Sequence, residues 1–177
     1  MLTSTDGLTG LSNRRSFDKA LTGELARCAR DHPPLVLLLV DVDHFNSYND
    51  GYGHQERDDC LKRLSQLLRG MARRLGDVAA RCGGEEFAVI LPSTSAEGEQ
   101  QFAEHPRTSV AATPHCRSAF GAVTVSIGLA REISVAGTQN ILANADTALY
   151  SAKANGRSRA KAYTGSTQAM VAHRYGA

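Results

Sequence analysis

The chain has 177 residues, 42% of them hydrophobic and 21% charged, with a formal net charge of +2, the size and balance of one globular domain with a real core. So small a positive charge, 6% aromatic residues and no Trp argue against nucleic acid as a partner, since they provide neither an electrostatic footprint nor stacking platforms.

The longest apolar run, Leu35 to Val40, is far too short to span a membrane, and the N-terminus lacks the basic-then-apolar layout of a secretory signal. A soluble domain in a cytoplasmic setting is expected. The four cysteines, Cys28, Cys60, Cys82 and Cys116, form no CxxC pair, which argues against a zinc site or a disulfide framework and for reduced thiols. The six histidines fall in no metal-binding spacing.

In chain order, Asp6 to Asn13 is turn-rich, and Ser12 or Asn13 can cap the helix that follows. That helix is expected from Arg14 to Arg30, with Phe17, Leu21 and Leu25 as its apolar stripe and Pro33-Pro34 as its stop. Leu35 to Val42 reads as a fully buried strand that delivers Asp41 and Asp43, two positions apart, to one face at its end. A helix from His54 to Leu75 carries Leu61, Leu64, Leu68, Met71 and Leu75 at helical spacing.

A β-hairpin follows, Val78-Ala79-Ala80 before and Phe87 to Leu91 after, with Gly83-Gly84-Glu85-Glu86 between them. The two glycines can supply the positive φ of a tight turn, and without Cβ atoms they let a phosphate approach the backbone. Strand alternation sends Glu85 and Glu86 to opposite sides. Next come a helix from Ala96 to Ala112, which Pro106 should kink or shorten, and a half-buried strand through Val123, Val125, Ile127 and Leu129 that ends near Ala130. A last helix carries Ile141, Ala145, Ala148, Leu149 and Ala152 and is stopped by Asn155-Gly156. A short strand from Arg159 to Tyr163 can close the sheet. The order predicts an α/β (α+β) domain, a central mixed, largely antiparallel sheet flanked by helices, over residues 1–163, with a flexible tail at 164–177.

Several side chains carry chemistry, each with a plainer alternative. Asp41 and Glu85, if their elements are neighbours, make a hard-cation site to which the Val42 carbonyl can add a third oxygen, enough for Mg²⁺ completed by water and phosphates. Alone, Asp41 or Asp43 is equally a turn former or cap, and Glu85-Glu86 a solvated hairpin tip. Lys153 and Arg157, four apart, share a helical face that could clamp a triphosphate, or simply complement the helix dipole. Asn49 and Asp58 offer the amide and carboxylate that read a guanine edge, or are ordinary surface polar residues.

Taken together, six stretches in order closely resemble the GGDEF family of diguanylate cyclases. They are Asp6 to Arg15; Asp41-Val42-Asp43-His44-Phe45; Asn49 to His54; Gly83-Gly84-Glu85-Glu86-Phe87, the GGEEF form; Val123 to Gly128; and Ala145-Asp146 through Arg157. The resemblance implies a fold similar to nucleotidyl cyclase catalytic domains and polymerase palms, and condensation of two GTP into cyclic di-GMP with release of two pyrophosphates. It implies Mg²⁺ or Mn²⁺ on Asp41, Glu85 and the Val42 carbonyl, and catalytic roles for Glu86, which helps deprotonate the attacking 3′-hydroxyl, and for Glu85. Asn49 and Asp58 would recognise guanine, Lys153 and Arg157 the phosphates, and Phe45 and the Gly83-Gly84 backbone would also bind substrate. Each domain would hold one GTP, so catalysis would need an antiparallel homodimer. Arg74 and Asp77 match the family's RxxD inhibitory site for cyclic di-GMP. An upstream sensory or receiver domain is expected in the full-length protein.

Three departures bear on this expectation. Arg57 stands where the family usually has Gly before the guanine-reading Asp, and could crowd the base or pair with Asp58. Asn46 replaces a usual Lys, removing a charge near the phosphates. His105-Pro106 replaces an Arg-and-aliphatic pair whose Arg often serves the inhibitory site. They motivate the alternative of a weak or inactive domain that binds GTP or cyclic di-GMP as a receptor.

Overall fold

The computed structural model describes residues 3–45, 54–112, 117–118, 121–132 and 140–165. Among them are helices α1 (Arg14–Asp31), α2 (His54–Met71), α3 (Ala96–Ala112) and α4 (Ile141–Ala154). The strands are β1 (Ser12–Asn13), β2 (Leu35–Val42), β3 (Val78–Gly83), β4 (Glu86–Pro92), β5 (Arg117–Ser118), β6 (Gly121–Ala122), β7 (Val125–Glu132) and β8 (Ala160–Ala162). Six strands form one mixed sheet in the order β1-β3-β4-β2-β7-β8, and β5 and β6 pair separately. The pairings β3-β4, β4-β2 and β2-β7 are antiparallel, whereas β1-β3 and β7-β8 are parallel.

Central position explains the composition of β2. All eight of its residues are buried, because it has strands on both sides and helices on both faces. Val36, Leu38, Val40 and Val42 pack with Leu61, Leu64 and Leu68 of α2 and Val110 of α3. Leu35, Leu37 and Leu39 pack with Phe17 and Leu21 of α1 and Ile141, Ala145 and Leu149 of α4. The period of two sorts successive residues to the two layers, and each aliphatic side chain so buried contributes about 1.5–3 kcal/mol.

Local signals set most boundaries. Asn13, rather than Ser12, caps α1 by accepting from the Ser16 amide at 3.0 Å, and His32 closes it in a left-handed conformation, φ 54°. Helix α2 ends at Met71, earlier than the apolar spacing predicts. The Asp77 carboxylate captures the Arg74 amide at 2.9 Å, Gly76 turns with φ 95°, and Leu75 is left fully exposed. Pro106 does not shorten α3, which runs its full predicted length with Pro106 inside it. Strand β7 begins and ends two residues later than expected. Residues 166–177 fall outside the described part.

One glycine fixes a layer. A Cβ on Gly128 of β7 would collide with the Ala145 carbonyl and the Leu149 backbone, so α4 lies directly on the sheet. That close approach sets where the C-terminus of α4 meets the end of β2.

Candidate active site

Asp41 is the last but one residue of β2, only 6% exposed, and lies between Glu86 of β4 on one side and Ser126 of β7 on the other. Residues directly opposite in antiparallel strands share a face, so Asp41 and Glu86 project together into the layer of α1 and α4. Lys153, the last cation of α4, reaches Asp41 Oδ2 with its Nζ at 2.7 Å. Burial pushes the Asp41 carboxyl above its ordinary range; the Lys153 hydrogen bond and charge work against this, Glu85 and Glu86 add to it, and the net shift is upward.

The acidic hairpin tip meets the same strand end. The Val42 amide donates to the Glu85 carbonyl at 3.3 Å. The turn itself departs from the sequence expectation, because Gly83 and Gly84 are absent from the positive-φ positions. The turn residues are Gly84 and Glu85, and a register shift between Arg81 and Gly83 absorbs the geometry that left-handed glycines would otherwise supply. Glu85 therefore sits in a turn, where strand alternation does not govern it, and both carboxylates act electrostatically on Asp41. A Cβ on Gly84 would meet nothing within 4 Å. Internal packing thus gives no reason for glycine at the tip, which leaves the backbone open to approach from outside.

Asp43, paired with Asp41 in the sequence reading, has a different task. It is buried, and its carboxylate accepts from Thr124 Oγ1 at 2.7 Å, Ser126 Oγ at 2.6 Å and the Ser158 amide at 3.0 Å. These bonds tie the end of β2 to β7 and to the turn after α4. Lys153 and Arg157 do not share a helical face as expected. Helix α4 stops at Ala154, Gly156 turns with φ 103° and Arg157 itself has φ 60°, so Arg157 lies beyond the helix in the turn that Asp43 anchors.

On the other face, Phe45 is 2% exposed, and the Arg57 guanidinium carbon stands 4.8 Å from its ring centroid, within cation–π range. Among the described residues Arg57 makes no ion pair with Asp58, and its Nε is buried without a hydrogen-bond partner. Asp58 is half-buried in the first turns of α2. Asn49 and Asn46 lie outside the described residues.

Arg74 and Asp77 are joined to each other. Besides the amide contact, Arg74 Nε lies 3.4 Å from Asp77 Oδ2 and Nη2 donates to Thr94 Oγ1 at 2.6 Å. Its guanidinium carbon is 5.8 Å from the Phe102 ring of α3.

Two residues without a role in the sequence reading also belong here. Arg81 bridges the hairpin tip to Asp6, and Cys82 shares with Arg14, Phe17 and Glu86 a pocket under the sheet end. Burial pushes the Cys82 thiol up to about 12, so it is no thiolate nucleophile near neutral pH. Among the described residues no three His, Cys, Asp or Glu side chains surround a common point. Two carboxylates with a backbone carbonyl nevertheless fit a hard cation that keeps much of its shell for water and phosphate. The buried charge of Asp41 is met in part by the Lys153 ammonium already in place.

Comparison with known proteins agrees with this architecture. Residues 3–159 match the family described as diguanylate cyclase, GGDEF domain. Diguanylate cyclase DgcP of Pseudomonas aeruginosa is 43% identical over 157 residues, covering 88% of this chain and 23% of that protein. The GGDEF domain of DgcB from Caulobacter crescentus, solved in complex with c-di-GMP, superposes with a TM-score of 0.83 at 34% identity, covering 93% of this chain and 97% of that one. The active GGEEF domain of a diguanylate cyclase from Vibrio cholerae gives 0.77 at 30% identity, covering 86% and 97%. The chain belongs to the GGDEF family. It spans less than half the length of the curated relatives it matches.

Proposed function

We propose that this domain is a diguanylate cyclase that condenses two GTP into cyclic di-GMP and releases two pyrophosphates. The observation that carries the reading is the meeting of Asp41, at the end of β2, with the Glu85-Glu86 tip beside a Gly84 backbone open to a ligand. Asp41, the Val42 carbonyl and Glu85 would hold Mg²⁺ or Mn²⁺. Bound there, the ion would neutralise charge on the triphosphate and orient it.

The chain's own groups supply the rest. Glu86 accepts the proton of the attacking 3′-hydroxyl as the new phosphodiester forms and pyrophosphate departs. The Gly83-Gly84 backbone lies against the phosphates, and Lys153 and Arg157 bind them. Asn49 and Asp58 read the guanine, with Phe45 as part of its wall. One domain holds one GTP, so two must face each other, antiparallel, to close the ring. Arg74 and Asp77 bind product and restrain turnover. The thiols of Cys28, Cys60 and Cys82 suit a cytoplasmic location with the GTP pool, and none of the described helices is long and apolar enough to cross a membrane.

Incubation of the purified chain with GTP and Mg²⁺ or Mn²⁺, followed by chromatography, tests the reading: cyclic di-GMP accumulates in the wild type and is lost in Glu86→Ala. A second reading is favoured by Arg57 lying over Phe45, on the expected base-binding face: a weakly active domain that works as a GTP or cyclic di-GMP receptor. Tight nucleotide binding by calorimetry with no product would establish that reading instead.

A further inference from the structure

The Lys153 ammonium has a single partner among the described residues, Asp41, at 2.7 Å. The backbone behind it cannot retreat: α4 is seated on β7 through Gly128, and the turn after it is pinned by the Asp43 carboxylate. Only the four-carbon stem of Lys153 can move, and with a quarter of the side chain exposed it has solvent to move into. The same carboxylate is the group assigned to the divalent ion. Two cations drawn to one nearly buried carboxylate repel each other strongly.

We propose that Lys153 is a tethered counter-ion for Asp41, which a divalent ion must displace, and that the released ammonium then engages the triphosphate. The inference rests on the assignment of Asp41 and Glu85 to the metal. It makes the two binding events cooperative. Metal alone binds weakly because it must evict Lys153, nucleotide alone finds Lys153 occupied, and each removes the obstacle to the other. Lys153 thus has two alternative partners, and its effect on metal affinity has the opposite sign to its effect on nucleotide affinity.

The test is Mn²⁺ binding to the whole chain, followed by the electron paramagnetic resonance of free Mn²⁺, first without nucleotide and then with a non-hydrolysable GTP analogue. Without nucleotide, Lys153→Met should bind Mn²⁺ about ten-fold more tightly than the wild type, and the enhancement given by the analogue should shrink by a similar factor, as reciprocity requires. Lys153→Arg, whose planar fork holds a carboxylate more firmly, should bind Mn²⁺ more weakly than the wild type. Circular dichroism checks that all variants are folded. Asp41-dependent binding that is unchanged or weakened in Lys153→Met overturns the displacement and leaves the metal assignment standing. Absence of any binding that Asp41→Asn removes overturns both.

Discussion

Arg81 Nη1 lies 3.1 Å from Asp6 Oδ1, across 75 positions of the chain. The same guanidinium donates to the Gly84 carbonyl through Nη2 at 2.8 Å and Nε at 3.1 Å. Asp6 in turn accepts from the amide and hydroxyl of Thr9 at 2.9 and 2.7 Å. The turn that leads into α1 is therefore clasped to the acidic hairpin tip by one planar cation, and the position of the tip depends on the N-terminal segment.

Removing the clasp leaves Asp6 without its charged partner and the Gly84 carbonyl without its donors. Arg81→Met should cost about 1–3 kcal/mol, lowering the melting temperature by about 2–4 °C for each kcal/mol in a chain of this size. Cyclic di-GMP formation should fall more steeply than stability alone explains, because Glu85 is set by the turn. Calorimetric melting and product chromatography on the same preparation separate the two effects. For Asp6, burial works to raise the carboxyl, but the bonds from Thr9 and Arg81 outweigh it and the net shift is downward. A depressed carboxylate stabilises the fold above its unfolded pKa and loses that contribution as pH falls through the lower, folded one. The wild type should therefore lose stability relative to Asp6→Asn as pH falls below the ordinary carboxylate range, a difference that acid titration by circular dichroism will read.

Asp41 has the opposite sign. Its folded pKa is raised, so at neutral pH its charge destabilises the fold, and the disadvantage disappears only as pH falls below the unfolded value. Asp41→Asn should consequently melt higher than the wild type at pH 7 without metal, and the gap should close as the buffer is taken toward pH 4. The same variant should make no cyclic di-GMP. A gain in stability joined to a loss of function is the signature of a group kept for its chemistry. A lower melting point for Asp41→Asn would mean that its bond to Lys153 outweighs the cost of burial.

Arg57 covers Phe45 at 4.8 Å instead of pairing with Asp58, so of the two interferences that the sequence suggests, crowding is the one to test. With the Phe45 ring buried and Arg57 half-buried, the cation–π contact contributes about 1–2 kcal/mol, and a guanine of correct size could displace it. Arg57→Gly should lower the KM for GTP several-fold with a smaller change in kcat, since uniform binding is what the side chain obstructs. Glycine in a helix costs about 1 kcal/mol more, so stability should fall while KM improves. An unchanged KM would show that the arginine already stands clear of the base.

Much of this was legible in the sequence because it depends on local chemistry. The run Leu35 to Val42 could only be a strand buried on both faces, and it is one, residue for residue. Asn13 as a cap and Asn155-Gly156 as a stop follow from side-chain and backbone preferences. The misreadings come from places where a distant group decides. Spacing alone predicts α2 on to Leu75, but Asp77 turns the chain first. Spacing alone also puts Lys153 and Arg157 on one helical face, but the Asn155-Gly156 stop lies between them. The clasp from Arg81 to Asp6 and the three donors on Asp43 link segments 75 to 115 positions apart, and no periodicity records such pairs.

Arg74 and Asp77 can be told apart by experiment, because the fold treats them differently. The Asp77 side chain is 1% exposed against 49% for Arg74, and Asp77 Oδ1 is buried with no hydrogen-bond partner. Asp77 holds the turn after α2 through the Arg74 amide, so its first role is structural, whereas Arg74 keeps much of its guanidinium in solvent next to Phe102 of α3. Asp77→Ala should cost about 1–2 kcal/mol, the loss expected for removing an acceptor from a backbone amide at a helix end. Arg74→Ala should cost about 1–3 kcal/mol, because it leaves the buried Asp77 carboxylate without its charged partner and Thr94 without its donor. Its distinguishing effect should appear in ligand binding. If the pair binds product, cyclic di-GMP affinity measured by calorimetry should fall at least ten-fold in Arg74→Ala while initial GTP turnover stays at the wild-type rate and loses its restraint by product. Equal affinity in variant and wild type would show that this arginine serves only the turn and Thr94. His105-Pro106 would then account for a chain whose turnover its own product does not limit.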